Sequence, residues 1–104
     1  MEAITMDHRI IILGDRKKVE PGAAIVAKND TLAWEAYDTD AWVIFSEDGC
    51  PFASSKIFVQ SGKISGTLIV TGEPGKYPYS VYLIQKNSFA MGNSDPIIII
   101  KRPS

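Results

Sequence analysis

The sequence has little of the chemistry that builds redox or metal centres, since it contains one cysteine, Cys50, and one histidine, His8. A single cysteine cannot form a disulfide within the chain, and a closed zinc site needs four ligands drawn mainly from cysteine and histidine. Both kinds of site are therefore excluded within one copy of the chain. A lone cysteine fits a reducing compartment, so we expect a cytoplasmic protein, with an exported protein that has lost its signal peptide as the alternative.

The chain also lacks an excess of charge of either sign and a long hydrophobic run. Eleven lysines and arginines against 12 acidic residues give a formal net charge of -1, which offers no electrostatic basis for binding nucleic acid. The aliphatic run Ile97 to Ile100 is far shorter than the roughly 20 residues that span a bilayer, and no other run in the chain approaches that length. The first residues include acidic side chains and lack the apolar segment of a secretory signal. We expect one domain, residues 1–104, with no nucleic-acid or membrane partner.

What the sequence does contain is the pattern of an all-β protein. Its 8 glycines and 6 prolines divide the chain into short segments rich in β-branched and aromatic residues, which is typical of a β-sandwich or barrel. The pattern predicts about eight strands. The expected strands are Ile4 to Leu13, Ala24 to Ala27, Thr31 to Ala36, Ala41 to Ser46, Lys56 to Val59, Gly66 to Thr71, Tyr77 to Ile84 and Ile97 to Lys101.

The run Ile97, Ile98, Ile99 and Ile100 lacks the alternation of hydrophobic and polar residues that is clearest in Leu32 to Ala36 and Tyr77 to Leu83. A strand that is apolar on both sides is either covered on both faces or meets a partner with its outer face. These four isoleucines are therefore a candidate interface strand.

The order of several short motifs resembles the cupredoxins, the plastocyanin, azurin and phytocyanin-like copper proteins. The motifs are Asp30 to Trp34, Asp38, Val43 with Phe45, Ile57 to Gly62, Gly75 to Tyr79, Met91 with Gly92, and a final aliphatic strand. The resemblance implies a Greek-key β-sandwich of cupredoxin type. Within it, Gly75-Lys-Tyr77 looks like a tyrosine corner, in which the tyrosine hydroxyl bonds back to the preceding backbone.

The same resemblance implies that the copper ligands are missing. A blue-copper centre needs two imidazoles, a thiolate and usually a weak axial thioether. Aligned on Trp34, the first histidine position of the family holds Trp42, and the cysteine position holds Val81. The second histidine falls between Ile84 and Lys86, where no histidine occurs, and only the axial methionine has a counterpart, Met91. We therefore expect no copper and no other cofactor.

The other candidate sites do not have the residue types and spacings that a metal or catalytic site needs. Asp38, Asp40, Glu47 and Asp48 lack the glycine and terminal glutamate of a calcium-binding EF-hand and are predicted to form a solvated loop. Cys50 is predicted to be an inert thiol on a turn, and His8 a surface or edge residue of the first strand. No motif here predicts an enzyme.

The aromatic residues are the most informative about function. The cupredoxin arrangement places Trp34, Phe45, Phe58, Tyr77 and Tyr79 in or beside the core. It places a second set on loops at the end where copper would lie, and this set is the candidate binding patch. Its members are Tyr37, Trp42, Phe52, Phe89 and Met91. Trp42 either plugs the vacant metal position or, if exposed, helps to form a surface that binds a protein or an apolar ligand.

Three functions follow from this sequence. The preferred one is a non-catalytic interaction or assembly module without copper, whose partner is another protein or a second copy of the chain in a homodimer. The alternative is a carrier of a small apolar ligand, with a cavity bordered by Trp42 and Met91. Electron transfer is the third, and the missing ligands argue against it.

Overall fold

The computed structural model describes residues 5–91 and 95–102. Within these residues the chain forms ten strands and a single 3-10 turn, Ile84–Lys86, and no helix long and apolar enough to cross a lipid bilayer is found among them. The strands are β1 Asp7–Leu13, β2 Lys18–Glu20, β3 Ala23–Val26, β4 Thr31–Tyr37, β5 Ala41–Phe45, β6 Lys56–Val59, β7 Leu68–Ile69, β8 Gly75–Leu83, β9 Ser88–Phe89 and β10 Ile97–Ile100.

The strands form two sheets that enclose one core. Sheet I has the order β2-β1-β4-β7, with β1 parallel to β4. Sheet II has the order β3-β10-β8-β5-β6, and β9 pairs with β8. The chain passes repeatedly from one sheet to the other, and the prediction of a Greek-key β-sandwich is confirmed.

The predicted strands differ from the observed ones mainly where pairing is short. The strands β2 and β9 were not predicted, because segments of two or three residues are too short to show alternation. The predicted strand Gly66 to Thr71 is reduced to two paired residues, β7. The predicted start of the first strand, Ile4, lies outside the described residues.

The core is built around Trp34, which is completely buried. The rings of Phe52 and Tyr79 meet its indole edge-on, each at a centroid distance of 5.7 Å. The indole Nε1 donates to the Tyr79 hydroxyl over 3.4 Å, and burial raises the pKa of Tyr79 to about 12. The assignment of Phe52 to a surface patch was wrong, because its ring contributes to this buried aromatic cluster.

A buried carboxylate, Asp30, ties the start of sheet I together. It accepts hydrogen bonds from the backbone N–H groups of Met6 and Ala27 and pairs with His8 Nε2 at 2.8 Å. Burial by itself raises the pKa of Asp30, but these three hydrogen bonds outweigh it and the pKa is lowered. His8, predicted to be a surface or edge residue, is half-buried and is the partner of Asp30.

The tyrosine corner is confirmed. The Tyr77 hydroxyl donates to the backbone carbonyl of Glu73 over 2.6 Å. Gly72 permits this geometry, because a Cβ atom there would lie 3.0 Å from both the Tyr77 hydroxyl oxygen and the Cα atom of Pro51. Tyr77 is half-buried, so the corner braces the entry to β8 from the border of the core.

Candidate binding surface

The positions that would hold copper carry apolar side chains. Val81 occupies the thiolate position on β8, where it is buried and pairs in register with Val43 of β5. Trp42 of β5 occupies the position of the first histidine. Neither side chain carries a metal-binding atom.

Trp42 does not plug the vacant position, which corrects one of the two interpretations drawn from the sequence. Side chains alternate along β5, so the buried Ala41 directs its neighbour outward. The indole of Trp42 is 39% exposed and lies against Phe58 on the outer face of sheet II.

Hydrogen bonds close the end of the sandwich where the second histidine would lie. Gln85 Nε2 donates to Asp40 Oδ2 over 3.0 Å, and its Oε1 accepts from the backbone N–H of Asp40. The other Asp40 carboxylate oxygen accepts from the backbone N–H of Ser61 over 2.7 Å. This bond, followed by the one from Gln85, lowers the pKa of Asp40. The buried hydroxyl of Thr39 accepts from the Gln85 N–H and completes the closure.

The residues present do not fit a blue-copper centre. Met91 is 68% exposed, its backbone N–H donates to the Lys17 carbonyl, and no imidazole or thiolate accompanies its thioether. Across residues 5–91 and 95–102, no group of three or more His, Cys, Asp or Glu side chains is close enough to hold a metal ion. Cys50 is half-buried with its Sγ on the Ser54 carbonyl, and His8 is engaged by Asp30.

The predicted patch is divided among four parts of the molecule. Tyr37 ends β4 in sheet I, where its hydroxyl donates to Glu35, while Phe52 is in the core. Trp42 and Phe89 share the outer face of sheet II, and Met91 follows β9. Only Trp42 and Phe89 therefore belong to one continuous surface.

That surface contains a row of four aromatic side chains that crosses four neighbouring strands, here called the aromatic row. Phe58 of β6 pairs in register with Trp42 of β5, Trp42 with Tyr82 of β8, and Tyr82 with Phe89 of β9. The ring centroids of Phe58 and Trp42 are 5.2 Å apart, and those of Tyr82 and Phe89 are 5.1 Å apart. Phe58 is 46% and Phe89 53% exposed, so the row lies open on the surface.

Sequence reasoning missed two members of the row, since Phe58 was assigned to the core and Tyr82 to no site. The alternation was visible on both strands. Phe58 lies between the inward-facing Ile57 and Val59, and Tyr82 lies between Val81 and Leu83. The strand pairing that aligns the two rings with Trp42 was not visible.

Isoleucines continue the apolar surface toward the other end of sheet II. The interface-strand prediction separates into two pairs, with Ile98 and Ile100 buried in the core and Ile97 and Ile99 half-buried on the outer face. Ile99 pairs in register with Ile25 of β3, which is 61% exposed. We call Ile25, Ile97 and Ile99 the isoleucine cluster.

Only two charged side chains, Lys56 and Lys76, project from the described strands of this face. Both lie at its margin, and neither takes part in an ion pair within residues 5–91 and 95–102.

A shallow cavity of about 180 Å³ opens beside β8. Its wall includes Ser80, Phe89, Asp95 and Pro96. Neither Trp42 nor Met91 lines it, so it is not the cavity that the carrier alternative predicts.

The fold, but not the sequence, matches known proteins. No protein-family model and no curated sequence matches the chain. A pseudoazurin from Sinorhizobium superposes with a TM-score of 0.58 at 19% identity, over 96% of this chain and 77% of that one. A purple cupredoxin from Nitrosopumilus maritimus gives 0.62 at 13% identity, over 90% and 99% of the two chains.

A copper-containing nitrite reductase from Thermus scotoductus gives a TM-score of 0.65 at 14% identity, over all of this chain and 24% of that one. At identities this low the likeness establishes the fold alone. The chain has the cupredoxin fold, and it lacks the residues that hold copper in that fold.

Proposed function

We propose that this protein is a non-catalytic cupredoxin-fold module that binds another protein through the outer face of sheet II. The aromatic row carries this proposal. Aromatic side chains are enriched at protein interfaces, since their large rigid surfaces lose little conformational entropy on binding. Four of them in register on an open sheet face form a ready anchor for a protein surface.

The position of the row argues against a purely structural role. The core of the sandwich is already filled by a separate cluster around Trp34. Phe58, Trp42 and Phe89 each leave more than a third of their surface in water, and burying such surface is favourable by roughly 25 cal/mol per Å². A protein partner would supply that burial.

The other candidate functions have less support. A carrier needs an opening at the vacant metal position, where Gln85 and Asp40 are bonded to each other. Electron transfer through copper needs ligands that Trp42 and Val81 do not provide. A binding module requires neither an opening at that position nor copper ligands.

Site-specific photocross-linking in the native cells tests the proposal. A benzophenone amino acid at position 58, in the aromatic row, should form protein adducts that are absent when it replaces Ile69, which is 57% exposed on sheet I. Trp42→Glu should weaken the adducts from position 58, since it places a charge within the row. Equal patterns from positions 58 and 69, or no adduct from position 58, would contradict the proposal.

A further inference from the structure

We infer that the partner inserts an arginine side chain into the cavity beside β8, at the end of the aromatic row, where the ring of Phe89 and the carboxylate of Asp95 would hold its guanidinium group. This inference rests on the proposed function, since it names one side chain of the protein that binds the same surface. The construction of the cavity, its size and its charge each support it.

The cavity exists because two strands share one edge of β8 and leave a gap between them. β10 pairs with the first four residues of β8, and β9 pairs with its last two. Backbone hydrogen bonds fix both sides of the gap to β8. The Tyr79 N–H donates to the Pro96 carbonyl over 3.0 Å, and the Ala90 N–H donates to the Val81 carbonyl over 2.8 Å. The cavity is therefore formed before a partner binds, as most binding pockets are.

The cavity opens on the same face as the aromatic row. Ser80 lies between the buried Tyr79 and Val81 on β8, so its side chain points to the outer face. Phe89 belongs to both features, because its ring packs edge-on against Tyr82 in the row and also lines the cavity. A partner seated on the row would therefore reach the mouth of the cavity.

The size of the cavity suits one side chain better than a larger ligand. Its volume is about 180 Å³, whereas pockets for drug-sized ligands span roughly 300–1,000 Å³. Its wall combines small apolar residues, Val81 and Ala90, with two polar ones, Ser80 and Asp95. A long side chain with an aliphatic stem and a polar end matches that combination.

The charge at the cavity selects a cation. Asp95 lies in the wall, and no lysine or arginine does. All 11 lysines and arginines of the chain lie within residues 5–91 and 95–102, and none of them forms an ion pair with Asp95. A cation from a partner would give this carboxylate the ion pair that the chain does not provide.

The aromatic wall favours arginine over lysine. Phe89 is 53% exposed, so ring surface remains available to a side chain in the cavity. A planar guanidinium group stacks on aromatic rings and bonds a carboxylate through two N–H groups, whereas the ammonium group of lysine is a compact, strongly hydrated charge. Arginine is also enriched among the residues that dominate binding energy at protein interfaces.

Nuclear magnetic resonance with small probes tests the cavity. N-acetylarginine methylamide added to isotope-labelled protein should give saturable shifts of the backbone amide signals of Ser80, Phe89, Ala90 and Asp95. The uncharged analogue N-acetylcitrulline methylamide, which has nearly the same shape, should give none. Asp95→Asn should weaken binding of the arginine probe about fivefold, because it removes the charge of the acceptor. Asp48→Asn, on an exposed turn, is the matched control and should leave binding unchanged.

Three results with these probes would overturn the inference. The first is the absence of saturable shifts at the amides that line the cavity. The second is equal binding of the citrulline probe, which would show that charge does not select the ligand. The third is tighter binding of N-acetyllysine methylamide, which would show that the ring does not favour a guanidinium group.

The cross-links from position 58 connect the cavity to the partner. The adducts should decrease in Asp95→Asn and stay unchanged in Asp48→Asn. Adducts that persist at full strength in Asp95→Asn would overturn the inference and leave the proposed function standing. No adduct from position 58 in the otherwise wild-type chain would instead contradict the proposed function, and this inference with it.

Discussion

The outer faces of the two sheets carry different kinds of side chain. The outer face of sheet I carries two ion pairs. Arg9 and Glu35 lie 3.0 Å apart on neighbouring strands, and Lys18 and Glu20 lie 3.4 Å apart on β2. Sheet II carries the aromatic row and the isoleucine cluster, with lysines only at its margin. Both sheets supply inward residues to one core, so folding does not require the difference. An apolar outer face is therefore best explained by what it binds.

The strongest test of the comparison uses the two sides of β10. Ile98 is fully buried and Ile99 is half-buried on the outer face, although the residues are identical and adjacent. Ile98→Lys should cost more than about 4 kcal/mol and unfold the protein, because it buries an unpaired charge. Ile99→Lys should leave a folded chain. Urea unfolding followed by circular dichroism measures both, and similar losses would show that β10 is covered on both sides.

A smaller loss is expected from the carboxylate that anchors sheet I. Asp30→Asn removes the charge that accepts three hydrogen bonds and should lower the free energy of unfolding by about 2 kcal/mol. Asp48→Asn, on an exposed turn, is the matched control and should have little effect. An unchanged free energy of unfolding in Asp30→Asn would show that Asp30 does not anchor sheet I.

Asp30 should also make the stability of the protein depend on pH under acidic conditions. Its pKa in the folded protein lies below the ordinary value of 3.8, so its stabilising contribution is complete above that value. As the pH falls through the folded-state pKa, that contribution is lost. The gap in stability between the wild type and Asp30→Asn should therefore be constant at neutral pH and narrow below about pH 4. A difference in stability that widens on acidification would contradict the lowered pKa of Asp30.

The tyrosine corner should contribute less. Tyr77→Phe loses the hydrogen bond to the Glu73 carbonyl and should cost about 0.5 to 1.5 kcal/mol. Tyr37→Phe on sheet I loses an exposed bond to Glu35 and should change stability by no more than about 0.5 kcal/mol. Chemical denaturation compares the two, and equal losses would argue that the corner has no special role.

The smallest effect is expected for the ion pair of Arg9 and Glu35 on the outer face of sheet I. A double-mutant cycle on Arg9 and Glu35 should give a coupling below about 1 kcal/mol that decreases with added salt, because the arginine is about half exposed. A larger coupling that resists salt would mean that the outer face of sheet I also contributes to folding, and the contrast with sheet II would weaken.

Much of the fold was predictable from local sequence. The strand Lys56 to Val59 was predicted with its observed bounds, and the tyrosine corner followed from Gly75-Lys-Tyr77, since turn residues and period-two alternation act over a few neighbouring residues. The binding surface was less predictable. Trp42 and Phe89 were selected as aromatic residues, whereas Phe58 and Tyr82 were missed because cross-strand pairing is decided by residues distant in the chain.

The sequence by itself determined the all-β class and the loss of the copper ligands, because composition and residue identity do not depend on the path of the chain. Tertiary structure decided which aromatic residues meet. It buried Phe52, turned Trp42 outward and bonded Gln85 to Asp40 across 45 residues. The physical reason is register: a shift of one residue in the pairing of β5 with β8 would exchange the core and solvent faces, and only packing of the whole sandwich fixes that shift.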